Sequence, residues 1–166
     1  MNNYHIDIAQ ESDVTRIVEI YNQAIRAKDN AIIDEIKIEK YRKEFKSRDL
    51  VEYPIYTYKI EEVIVGWISL SPYRANRVAY RSLKEVSFYI DYQHLGKGIG
   101  SKMLEFVISN KDKLNYNSLI AILISSNKKS ISLLKKFDFK EWGYFPNVLE
   151  MQPKLESVSI FGRNFK

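Results

Sequence analysis

The chain has 166 residues, 45% of them hydrophobic, which suits a single domain (1–166) with one substantial core and leaves no need for a second. It contains no cysteine, so disulfides, thiolate nucleophiles and thiolate metal ligands are excluded, and with only His5 and His94 no metal site is expected. The formal charge of +5 comes from dispersed lysines interrupted by acidic residues, and no apolar run approaches membrane-spanning length, so neither nucleic acid nor membrane is an expected partner.

Tyr4 to Ala9 reads as a strand, and Ser12-Asp13 opens a helical pattern through Val14, Ile17, Val18, Ile20, Tyr21 and Ile25. A second helix is expected from Ile38 to Lys46. Ile55–Ile60 and Val63–Leu70 form a candidate hairpin around Glu61-Glu62, an unfavoured turn pair. An arginine- and tyrosine-rich loop, Ser71 to Ser82, leads to a strand at Glu85–Ile90. Helices are expected at Lys97–Asn110 and Asn127–Phe137, a strand at 118–124, and two last strands around Phe139–Glu150 and Leu155–Arg163. Trp67 and Trp142 are assigned to packing, with pocket walls as the alternative. The start Met1 to Asp7 has no basic stretch followed by an apolar core, so a soluble, cytoplasmic chain is expected.

Between the strand at 85–90 and the next helix lies Gln93-His94-Leu95-Gly96-Lys97-Gly98-Ile99-Gly100, with three alternating glycines. Glycines at a helix N-terminus let backbone N–H groups and the positive end of the helix dipole approach a phosphate. A dinucleotide fingerprint would need a different third spacing and an early position in the chain, and a nucleoside-triphosphate loop would need Gly-Lys-Ser/Thr. Lys97, Lys102, Lys128 and Lys129 gather nearby in sequence logic and favour an anionic ligand, although each alone also suits a solvated face.

The string resembles the Q/R-x-x-G-x-G/A signature of the GNAT superfamily of acyl-CoA-dependent N-acyltransferases, with Gln93, Gly96 and Gly98 at matching positions. Asn127-Lys128-Lys129-Ser130-Ile131 with Leu133, Lys136 and Phe139 resembles that superfamily's downstream segment. Gly66–Pro72 and Glu85–Ile90 are similar to the branch that holds phosphinothricin, methionine sulfoximine and related amino-acid N-acetyltransferases. The resemblance implies an α/β fold with a mixed, mostly antiparallel central sheet flanked by helices, and a splayed acyl-CoA cleft after the Glu85–Ile90 strand. It implies acetyl-CoA as co-substrate, a small-molecule amine as acceptor, and direct transfer in a ternary complex. Glu85 would be the general base; an exposed strand-end carboxylate is the competing reading. Phe88, Tyr89 and Ile90 would hold the pantetheine, Leu95, Gly96, Lys97, Gly98, Ile99, Gly100 and Ser101 the pyrophosphate, and Asn127 with Ser130 the pantetheine arm. Tyr73, Arg74, Arg77 and Tyr80 are the substrate-binding candidates, because an arginine fork suits a carboxylate. A homodimer is the family habit, and Val158-Ser159-Ile160-Phe161 is either its surface or an internal strand.

The chain departs from the family pattern at three places. Leu134 stands where relatives carry a tyrosine or histidine that would protonate the leaving thiolate, which leaves Tyr89, Tyr144 or solvent as the alternatives. Asp138 replaces a glycine before Phe139, and Ile32–Ile36 lacks the usual aromatic and proline of the substrate-facing arm. Polyamine or protein-amine acetylation, and a non-catalytic acyl-CoA sensor, therefore stay open beside the amino-acid reading.

Overall fold

A computed structural model describes residues 3–165; Met1 and Asn2, on which part of the leader reading falls, lie outside the described residues. Strands β1 (Tyr4–Ile8), β2 (Ile55–Ile60), β3 (Val63–Pro72), β4 (Leu83–Ile90), β5 (Ser118–Ile124), β6 (Lys140–Met151) and β7 (Lys154–Asn164) form one sheet in the order β1-β2-β3-β4-β5-β7-β6. Every neighbouring pair is antiparallel except β4 and β5. Helices α1 (Val14–Arg26) and α2 (Ile38–Ser47) bury Val14, Ile17, Ile20 and Phe45 against Trp67 on one face. Helices α3 (Ile99–Ser109) and α4 (Lys128–Lys136) bury Met103, Leu104, Val107, Ile131 and Leu134 on the other. β3 is therefore apolar on both sides, and the Val63–Leu70 run reads as a central strand for that reason.

The parallel pair determines the shape of the site. Its register runs Leu83↔Ser118, Lys84↔Leu119 and Glu85↔Ile120, and there it stops. β5 continues against β7 as far as Ile124↔Val158, while β4 continues against β3 as far as Gly66↔Ile90. The two strands thus part after Glu85. Val86–Ile90 keep a strand neighbour on one side, and the other side opens as a cleft.

Several boundaries differ from the sequence reading for local reasons. β4 begins at Leu83 because Lys84 is fully buried, its Nζ donating to the carbonyls of Glu52 at 2.7 Å and Leu114 at 2.8 Å and pairing with the Glu52 carboxylate at 2.9 Å. α3 begins at Ile99 because Gly98 takes a left-handed conformation (φ 77°) as its N-cap. Glu61 and Glu62 both adopt positive φ (48° and 65°), the geometry that a two-residue hairpin demands even of unfavoured residues. Asp138 also turns left-handed (φ 61°) at the end of α4, a conformation that glycine takes freely and aspartate tolerates. Val158–Phe161 lie within β7 between β5 and β6, the internal-strand alternative.

Candidate active site

The cleft between β4 and α4 forms a groove of about 770 Å3. Phe88 and Ile90 line it from β4, Leu95, Gly96, Gly98, Ile99, Gly100 and Ser101 from the glycine turn, and Ser130 from α4. Tyr89 and Asn127 line the adjoining depression, whereas Lys97 lies exposed outside the groove lining. Lys128 and Lys129 border the groove, but Lys102 stacks over the Tyr4 ring at 3.9 Å. The first hydrogen bond of α3 runs from Lys102 N to Gly98 O, so the preceding helical amides have no intrahelical partner, and no side chain caps them. A Cβ built at Gly96 or Gly98 would meet nothing within 4 Å, so the missing side chains leave open space beside these amides. The residues present fit a pyrophosphate at this turn. Asn127 caps α4 by accepting from Ser130 N at 3.1 Å, and its Nδ2 donates to the Asp29 carbonyl at 3.1 Å.

The glycine turn is tied to α1 through Asp91, which is 4% exposed. Its Oδ2 accepts from Arg16 Nη2 at 2.6 Å and Gln23 Nε2 at 3.1 Å, and its Oδ1 accepts from Gln93 N at 2.9 Å and lies 3.2 Å from His94 Nδ1. Burial alone would raise this carboxyl, but the hydrogen bonds from Gln23, His94, Gln93 and Arg16 outweigh it and bring the pKa down to about 2. Asp91 is therefore ionised at any working pH and holds the turn against α1.

On the opposite face of the sheet, a second cavity of about 840 Å3 lies under the segment between α1 and α2. Its floor is built by Trp67, Ser69 and Ser71 of β3 and by Ser87 of β4, with Ser69 opposite Ser87 and Ser71 opposite Glu85 one rung further on. Because strand residues alternate, Glu85 shares this face with Ser87 and Tyr89. Glu85 is not itself among the described lining residues, but it is half-buried and its charge acts on the phenols of Tyr21 and Tyr89. Burial raises its pKa above the ordinary carboxylate range. Ser87 and Ala31 border both this cavity and the inner end of the cleft, which also touches Phe88, Ala121 and Leu134. The cleft and the second cavity therefore meet at Ser87 and Ala31.

None of Tyr73, Arg74, Arg77 and Tyr80 is among the described residues lining this cavity. Tyr73 and Tyr80 pack edge-to-face at 5.4 Å, and Arg74 lies over both rings, on an exposed stretch. The charged residues that do line it are Lys37, Lys40 and Arg48, with Asp34, Glu35 and Glu44; Arg48, just past α2, is one the sequence reading passed over. Nothing in Lys46-Ser47-Arg48-Asp49 distinguishes it from a solvated helix end. Leu134 is fully buried at the inner end of the cleft, so no hydroxyl or imidazole stands at that position, and Tyr144 bonds Ser157 at 3.0 Å on the β6–β7 ribbon.

A family described as the acetyltransferase (GNAT) domain matches residues 6–152. The Bacillus subtilis (strain 168) protein YwnH, whose name assigns it provisionally to phosphinothricin acetylation, is 34% identical over 157 residues, covering 94% of this chain and 96% of that protein. An L-methionine sulfoximine/L-methionine sulfone acetyltransferase of Salmonella typhimurium is 28% identical over 148 residues, covering 86% of this chain and 84% of that one. In fold, the Salmonella typhimurium protein yncA, solved with its cofactor acetyl-CoA, superposes with a TM-score of 0.91 at 24% identity over 99% of this chain and 95% of its own. The splayed parallel pair, the glycine turn at its mouth and a match spanning most of the chain agree: this protein belongs to the GNAT acetyltransferase family.

Proposed function

We propose that the protein transfers the acetyl group of acetyl-CoA to the primary amine of an amino acid or amino-acid analogue, by direct transfer in a ternary complex. The observation that carries this reading is the junction at Ser87, where a groove suited to the coenzyme on one face meets an open cavity with serine, aromatic and charged walls on the other. The named relatives supply the chemical class. Acetyl-CoA brings an activated thioester; the chain's residues do the rest. The glycine turn and the Ser130 end of α4 bind the phosphates and pantetheine, and the open edge of Val86–Ile90 lies along the arm as an added strand would. One N–H of that edge polarises the thioester carbonyl.

A substrate α-amine, with a reference pKa of about 7.7–8.0, is largely protonated at neutral pH, so attack needs a base. Glu85 takes that proton, directly or through one water. The amine nitrogen bonds the acetyl carbon, the carbon–sulfur bond breaks, the nitrogen gives up its second proton to solvent, and the thiolate takes a proton from solvent, since Leu134 offers none. The loop carrying Tyr73, Arg74, Arg77 and Tyr80 is the candidate for contacts to the outer part of the substrate. Leu134 also favours a second reading, an acyl-CoA sensor without turnover. A coenzyme A release assay with acetyl-CoA against amino acids, phosphinothricin, methionine sulfoximine, polyamines and peptides separates them. Turnover on amino acids or their analogues supports the proposal; turnover confined to polyamines or peptides, or binding without turnover, overturns it.

A further inference from the structure

Arg48 stands apart from other arginines whose carboxylate partners are clear. Arg16 pairs with Asp91, Arg26 with Glu35 and Arg42 with Glu11, but among the described residues no carboxylate pairs with Arg48. It is nonetheless largely buried, and burial lowers its pKa. One edge of its guanidinium is fixed by the protein: Nε donates to the Tyr53 carbonyl at 2.7 Å, and Nη2 donates to the Leu70 carbonyl and to Ser71 Oγ at 3.2 Å. Nη1 has no protein partner among the described residues and is not sealed away, because the buried unpartnered side-chain nitrogen among them is Asn30 Nδ2. The side chain borders the amine-side cavity together with Ser71, Ser69 and Tyr41. Asp34, Glu35 and Glu44 line the same cavity, Glu35 already paired with Arg26, but none of them forms an ion pair with Arg48. A cation held rigid by backbone carbonyls, partly stripped of water and without a paired carboxylate is suited to receive an anion.

Resting on the acetyltransferase reading above, we infer that Arg48 Nη1 receives the carboxylate of the amine substrate and so restricts the enzyme to amines that carry an acid group. Ser71, which holds Nη2, lies directly across the ladder from Glu85, and such cross-strand neighbours have Cβ atoms about 4.5–5.5 Å apart. The receptor and the base thus flank one serine, a separation that an amino acid bridges with its carboxylate at Arg48 and its amine turned toward Glu85 and Ser87.

The test uses L-methionine sulfoximine and its carboxamide as probes, with calorimetry for binding in the presence of coenzyme A and thiol release for turnover. Calorimetry reads the Arg48 assignment and thiol release reads the reaction, so the two fail separately. The wild type is expected to bind the acid about 10- to 100-fold more tightly than the amide, the range for losing one charge-assisted hydrogen bond. Arg48→Met is expected to abolish that preference by weakening the acid alone, and Arg48→Lys, which keeps the charge and guards against misfolding of the first variant, to retain part of it. Equal affinity of the wild type for acid and amide, no binding of either, or an equal loss on both ligands in the variants overturns the assignment.

Discussion

Glu85 of β4 and Ile120 of β5 form the last rung of the sheet's parallel pair, and the cleft opens immediately beyond them. The proposed base is thus held by a strand neighbour on each side, while the residues that follow it, Val86–Ile90, are free to receive a ligand along one edge. Rigidity and access change over within one residue.

Burial raises the Glu85 pKa, so the acid limb of kcat/KM against pH should lie above the ordinary glutamate value of about 4.3. The sign for stability is opposite to that for activity. A carboxyl with a raised folded pKa contributes stability when protonated, at low pH, and that contribution is lost as pH rises through the folded value. Glu85→Gln should lower kcat by about 100-fold or more, remove this limb and leave coenzyme A binding intact. A Gln variant with an unchanged profile would reassign the base.

Asp91 works in the other direction. With its pKa brought down to about 2, it contributes about 2–3 kcal/mol at neutral pH, present above its unfolded value and lost as pH falls toward 2. Asp91→Ala should lower the thermal midpoint and raise KM for acetyl-CoA, because the glycine turn loses its tie to Arg16 and Gln23. An unchanged KM would show that the turn holds its shape unaided.

Gly98→Ala tests the turn itself. With φ at 77° and no atom within 4 Å of the added Cβ, the cost to the free protein is conformational, about 1–2 kcal/mol. The methyl enters the coenzyme groove, so KM for acetyl-CoA should rise beyond what the stability loss explains. Gly143→Ala on β6, whose added Cβ would make ordinary contact with Ile160 of β7 at 3.7 Å, is the control and should leave KM alone.

Lys84→Met should destabilise by about 2–3 kcal/mol without altering KM for either substrate. The ammonium is fully buried and holds the approach to β4 against two carbonyls, but its partner Glu52 keeps 38% of its side-chain surface and can rehydrate. Denaturant unfolding alongside kinetics checks both halves.

The strands, helices and glycine turn were legible because each rests on local chemistry: alternation in β4, helical spacing in α1 and α3, the Asn127 cap of α4. Glu85 and the groove residues came from strings that resemble a family, and the structure gathers most of them around one cleft. Lys84 and Arg48 were invisible for a shared reason. A buried cation is defined by what folds over it, here Glu52, Leu114, Tyr53 and Leu70, and those contacts lie far away in sequence or carry no side-chain signal. The loop at Tyr73–Tyr80 was read by residue type alone: its arginines and tyrosines suit a ligand, and in the fold Tyr73, Arg74 and Tyr80 pack on one another outside the cavity lining.

The central claim is that the thioester and the amine meet at Ser87 without passing through an acetylated enzyme. Initial rates with acetyl-CoA and an accepted amine varied against each other test it most directly. Intersecting double-reciprocal lines, the pattern of a ternary complex, are the predicted result; parallel lines, the pattern of a covalent relay, would contradict it.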